Sequence, residues 1–207
     1  MLSLLFQNPL AFVVVMGGLI IAIGIHEAAH CFTADYLGDP TPRSLGRTTL
    51  NPLAHLDPLG TLVIVVTGMF GWGKPAPFDP YNLAHPQRDT AIIALAGPVS
   101  NILLAIAVSL LWRVLPIPGS LTAVFLFLIR INITLALFNL IPVPPLDGSK
   151  VLAGVLNRNI PRDFENFGGG NSLLLLFLLL LPIFGGHSLA SLLISPITNL
   201  FLAFLVP

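Results

Sequence analysis

No charged residue precedes Glu27, and the run PLAFVVVMGGLIIAIGI that leads up to it is almost wholly apolar. A stretch of about 20 such residues is long enough to cross a bilayer as a helix. In lipid the backbone must satisfy its own hydrogen bonds, so helices and closed barrels are the structures that span. Residues 8–34, 90–112 and 119–142 all qualify as spanning helices. Residues 173–184 and 188–206 follow, separated by Pro182 and Gly185-Gly186, and read as two further spans or one interrupted hairpin. Only 9% of the residues are charged and 55% are hydrophobic, whereas soluble domains carry about 25% charged residues. The expected architecture is an all-α integral membrane protein, a polytopic bundle of about five spans. One membrane-embedded domain fills 1–207, with a core over about 8–160 and C-terminal helices at 173–206.

Residues 59–72, LGTLVIVVTGMFGW, do not fit that series. As a helix they would reach about 21 Å, short of a core of ~30 Å. Their Val, Ile and Thr content and bounding Gly and Pro favour an extended piece. The expectation is a short re-entrant or β-hairpin element after the first span, open to pairing with an added substrate strand. If it does not cross, Arg43, Arg47, Lys74, Arg88, Lys150, Arg158 and Arg162 share one face, seven of the nine basic residues. The positive-inside rule makes that face cytoplasmic and the N-terminus external. MLSLLFQNP has no Lys or Arg, so the first run reads as a retained span rather than a signal peptide.

Net charge is zero and no basic tract is present, which disfavours nucleic acid as a partner. Cys31 is the only cysteine, so no intrachain disulfide forms. The partners left are the bilayer and whatever protein the site acts on. Oligomeric state and substrate identity leave no signal in the sequence.

The first run ends in GIHEAAHCF, residues 24–32. On a helix His26 and His30 are four apart and share a face, so both imidazoles can reach one Zn2+. Glu27 stands beside the first of them, where it can serve as general base toward a water on the metal. Ionisable residues in a span are costly and mark function by default. Two histidines need a third protein ligand that leaves one position for water. His55, His85, Asp57, Asp79 and Asp147 all lie on the same face of the membrane by the charge count. Asp147 stands out because NLIPVPPLDG, residues 139–148, breaks the helix at the inner end of a span. The alternative for Asp147 is a simple helix N-cap.

HEAAH, GPVSN at 97–101 and NLIPVPPLDG, in this order, resemble the site-2 protease family of zinc intramembrane metalloproteases. The resemblance covers about residues 10–160 and is nearest to the small bacterial and archaeal branch. It implies one Zn2+ per chain on His26, His30 and Asp147, with Glu27 catalytic. It implies a role near the oxyanion or substrate for Asn139 and Asn101, and close helix approach at Gly97, which shares with Asn101 the motif on the intervening span. His55 is a further substrate-side candidate, against a reading as a loop histidine bonded to backbone. The implied activity is cleavage of peptide bonds in or near transmembrane segments of membrane proteins, inside a single peptidase domain. The competing readings are a membrane metal-binding or transport protein, and an inactive relative that only binds transmembrane helices.

Overall fold

The computed structural model describes residues 2–67, 71–156, 172–182 and 185–207. Among these residues the regular structure is helical, and Leu56 and Gly73 form an isolated antiparallel bridge. A short α1 (Leu2–Gln7) leads into α2 (Pro9–Tyr36). Asn8 caps α2 by accepting the Ala11 N–H at 3.0 Å, and Pro9 starts it with a backbone already suited to a helix. The helix stops where Gly38 takes φ of 104°, a left-handed value that glycine adopts without strain. After a single turn, α3 (Thr41–Ser44), the chain enters α4 (Pro58–Thr67). Then come α5 (Pro86–Val114), α6 (Thr122–Asn139), α7 (Asp147–Val155), α8 (Ser172–Leu180) and α9 (Leu189–Leu205).

Helix α5 is the hub: α2, α6 and α7 all pack on it, and α9 packs on α6. Ala105, Ile129 and Ile133 close the α5–α6 seam against Phe201, Leu202 and Leu205 of α9. At the outer face of the bundle, Leu95, Val99, Leu103, Ile106 and Leu110 form an exposed stripe along α5. Their spacing is that of one helix face, and an apolar belt of this size is what a lipid-facing surface presents. Three helices are long and apolar enough to cross a membrane, Pro9–Tyr36, Pro86–Val114 and Gly119–Asn139. The protein is a helical membrane protein.

About five spans were expected; among the described residues three helices of at least 18 residues are apolar enough to cross. The fourth, α9, has 17 residues, and α8 has nine, about 14 Å of helix. Residues 173–184 therefore do not hold a spanning helix within their described part, and residues 183 and 184 lie outside the described residues. The ends of α8 and α9 meet at Leu179, Ala190 and Ile194, over Leu146, as in an interrupted hairpin.

Residues 59–72 were expected to be a short re-entrant or β-hairpin element, and their first arm is the helix α4. Pro58 opens it and Asp57 Oδ1 accepts the Gly60 N–H at 2.7 Å. The β-preference of Val and Ile is a weak bias that packing overrides; Ile64 is buried against Met16 and Ile23 of α2. The chain does return to its starting level: Lys74 N–H donates to His55 O at 2.8 Å beside the Leu56–Gly73 bridge. Gly60 and Gly71 let the arms meet, because a Cβ on Gly60 would strike Trp72 O and one on Gly71 would strike Ile64. Its helical arm offers no free strand edge to a substrate.

Candidate metal centre

His26 and His30 occupy successive turns of α2, and both are buried. Asp147 is the first residue of α7, which Leu146 precedes without any side-chain cap. Asp147 therefore does not cap its helix. Its Oδ2 lies 3.1 Å from His26 Nε2 and 3.2 Å from His30 Nε2. Ligand atoms about 2.05 Å from one tetrahedral ion stand about 3.3 Å apart, so these three atoms have the spacing of a shared ion. They form the one group of His, Cys, Asp and Glu side chains among the described residues with metal-site geometry.

The far nitrogen of each ring is occupied. His30 Nδ1 lies 2.6 Å from the Ile93 carbonyl, which can only accept, so Nδ1 donates. His26 Nδ1 lies 2.6 Å from Asn101 Oδ1. The Asn101 amide nitrogen donates to the Ala22 carbonyl (3.1 Å) and to Asn132 Oδ1 (2.9 Å), which turns its oxygen toward His26. Asn132 is turned in the same way, since its own amide nitrogen donates to the Leu128 carbonyl at 2.8 Å. Both imidazoles thus carry their proton on Nδ1 and present a lone pair on Nε2, the arrangement a metal-binding histidine needs.

Gly97 forms the wall opposite. A Cβ there would stand 2.6 Å from His26 Nε2 and closer still to His30 Nε2. It sits about 16 Å from the start of α5 and about 26 Å from its end, so the group lies nearer the Pro86 end of the span. Gly148 lets α7 begin tightly against the end of α6, where a Cβ would overlap the Leu140 and Ile141 carbonyls. That contact sets where Asp147 points. Glu27 is half-buried on α2, and its Cγ would lie 3.2 Å from a Cβ on Gly73. The returning arm of the α4 hairpin therefore passes directly over Glu27.

The remaining candidates fall elsewhere. Asn101 is fully buried behind His26, with no exposed atom for a substrate, so its place is that of a support for the ring. Asn139 is half-buried at the end of α6 and donates to Leu135 O of its own helix at 3.0 Å. His55 is fully buried and stands outside the three-residue group. Its Nε2 donates to Thr49 O (2.8 Å) and its Nδ1 accepts from Arg47 Nη2 (3.3 Å). Arg47, buried and without a carboxylate partner, also donates to Lys74 O (2.7 Å) and Pro75 O (3.3 Å). In the sequence Arg47 counts only as one more cytoplasmic charge, while Asn132, polar within a span beside Arg130 and Thr134, is expected to make a bundle-facing hydrogen bond, as it does. An Asn well inside an apolar helix is the signal for the second.

On the loop side of the site, Asp39 joins α3 to the segment after the hairpin. It accepts from Thr41 N–H and Oγ1, Asp79 N–H and Asn82 Nδ2. Burial opposes its ionisation, but these hydrogen bonds outweigh it and hold the carboxyl below the usual aspartate range.

The class this geometry defines is a helical membrane protein with a buried candidate metal site. The family model for peptidase family M50 matches residues 116–181. The chain is 34% identical over 174 residues to "Putative zinc metalloprotease YwhC" of Bacillus subtilis, covering 80% of this chain and 79% of that one. It is 32% identical over 179 residues to Rip2 of Mycolicibacterium smegmatis, which carries the same descriptor, at 83% and 68% coverage. A shorter match, 48% identical over 61 residues, is to MJ0611 of Methanocaldococcus jannaschii, at 29% and 31% coverage. No solved structure matches the chain significantly. The chain belongs to the site-2 protease family, peptidase family M50.

Proposed function

We propose that the protein is an intramembrane zinc metalloprotease that cleaves peptide bonds in or near transmembrane segments of other membrane proteins. One observation carries this reading: two imidazole Nε2 atoms and a carboxylate oxygen converge within a polytopic helical bundle, beside a half-buried glutamate. His26, His30 and Asp147 would hold one Zn2+, and the donor set of two nitrogens and one oxygen suits it. Zinc held there supplies a Lewis acid that acidifies water and polarises a carbonyl. Glu27 accepts the proton of the attacking water at its carboxylate and delivers it to the departing amide nitrogen. Asn101 and the Ile93 carbonyl keep both rings oriented through that exchange. A substrate helix must unwind to reach the site, because in a helix the scissile carbonyl is hydrogen-bonded and covered. Residues 1–207 act as one peptidase domain, with the N-terminus outside and the site toward the cytoplasmic face, as the distribution of Lys and Arg supports.

The test is Glu27→Gln in purified protein with a transmembrane reporter substrate. The variant should retain zinc at the wild-type level and lose cleavage by several orders of magnitude. Undiminished cleavage would remove Glu27 from the mechanism. Wild-type protein with zinc bound and no cleavage of any transmembrane reporter would favour the inactive relative.

A further inference from the structure

The buried face of α6 consists of Ile129, Asn132, Ile133 and Ala136. Arg130 stands on the other side and is exposed, and Thr134 lies one turn further on, half-exposed. Leu126, one turn before Arg130, is exposed as well. Among the described residues neither Arg130 nor Thr134 makes a hydrogen bond or ion pair. Arg130 lies about 12 Å along the helix from Thr122 and about 14 Å from Asn139. Both distances exceed the reach of an extended arginine side chain, about 7 Å, so snorkelling does not bring the guanidinium to either interface. A permanent cation with five N–H donors therefore faces the hydrocarbon at mid-depth. Such a group is retained when something of opposite charge covers it.

Among the described residues the chain offers no such cover, and the two other acids, Asp163 and Glu165, lie in sequence beside Arg158 and Arg162 on the face expected to be cytoplasmic. Glu27 and Asp147 belong to the metal centre, and Asp35 pairs with Arg43 at 2.6 Å. Asp39, Asp57, Asp79 and Asp89 accept backbone N–H groups in loops or at helix starts. Neither α6 nor α9 contains an acid. A second copy would bring the same helices, with no further acid at this depth among the described residues.

We propose that the Arg130–Thr134 face of α6 docks a transmembrane helix of another protein that carries an Asp or Glu near its midpoint. The guanidinium takes the carboxylate through paired N–H donors, and the Thr134 hydroxyl, one turn away, hydrogen-bonds the same helix. Leu126 and the neighbouring apolar side chains provide the flanking contact. Charge and depth select the partner: a helix with its acid displaced by a turn leaves both charges unpaired in lipid. This surface is separate from the metal centre and does not depend on its being catalytic.

The experiment uses the full chain reconstituted in neutral phosphatidylcholine vesicles. Dye-labelled Leu/Ala transmembrane peptides with Glu, Gln or Leu at the centre are titrated, and binding is read by energy transfer. The Glu peptide should bind wild type about tenfold more tightly than the Leu peptide, the size of a good interhelical polar contact. Arg130→Leu should erase that advantage and Arg130→Lys should keep most of it. Moving the Glu by four residues should also erase it. Equal binding of Glu and Leu peptides to wild type overturns the proposal, as does an advantage that survives in Arg130→Leu. Dimerisation of wild type lost in Arg130→Leu, with no preference for the Glu peptide, assigns the face to self-association and overturns it too. Arg130→Lys, with melting matched to wild type, guards against a variant that merely misfolds.

Discussion

Asn101 Oδ1 stands 2.6 Å from His26 Nδ1, and the two residues come from different helices. That contact fixes which nitrogen of His26 is free, and Asn132 fixes it from a third helix. Removing such an outer support costs about 10–100-fold in metal affinity. Asn101→Ala should lose zinc affinity in that range, measured by competition with a chelator of known strength. Asn132→Leu should lose less, since Asn101 keeps its bond to Ala22 O. Unchanged affinity in Asn101→Ala would mean that the ring is held by packing alone.

Gly97→Ala tests the wall of the site. Alanine in a helix interior is favoured over glycine by about 0.5–1 kcal/mol, yet its methyl would strike both buried rings, which Asn101 and the Ile93 carbonyl hold in place. The variant should carry little zinc and melt below wild type in metal-free buffer. Full zinc occupancy at the wild-type melting temperature would show that α5 or the rings shift to make room.

Asp147→Ala should lose zinc by metal analysis while His55→Ala should not. His55 instead bonds Thr49 and Arg47 within the loop. Both of its ring nitrogens are buried and paired, so truncation should cost about 1–3 kcal/mol of stability, read from thermal melting. Arg47→Met should behave similarly and also slow cleavage, because Arg47 holds Lys74 and Pro75, and Gly73 beside them abuts Glu27.

Asp39 sets a pH limit on the loop. Its folded carboxyl is harder to protonate than its unfolded one, with an ordinary value of 3.8. The stabilisation is therefore complete above that value and fades as pH falls through the lower folded one. Hydrogen exchange in residues 39–41 and 79–82 should accelerate in that acid window. Asp39→Asn should exchange faster at neutral pH and show no such acid step.

The grouping of His26, His30 and Asp147 was legible because each residue sits in a motif whose local form is dictated by the chain. A helix puts residues four apart on one face, and prolines break α6 ahead of Asp147. The α4 hairpin was half legible. Its length ruled out crossing, but its Val and Ile content pointed to a strand, and burial of Ile64 against Met16 and Ile23 decided for a helix. The support of His26 could not be read at all. Asn101 resembled a substrate-side group, and only the relative rotation of α2, α5 and α6 turns it behind the ring. Such rotations depend on side-chain packing across sequence distances that no local pattern records.

The candidate ligands also lie far apart along the chain, on α2 and on α7, and these two helices meet chiefly through α5. An ion shared between them would close a covalent-like loop from His30 to Asp147, as a disulfide does in a secreted domain. Its effect on the unfolded ensemble grows with the logarithm of that loop. Zinc would then act as a staple for the bundle as well as a reagent, and each tenfold rise in free zinc above its dissociation constant should add about 1.4 kcal/mol to the folded state.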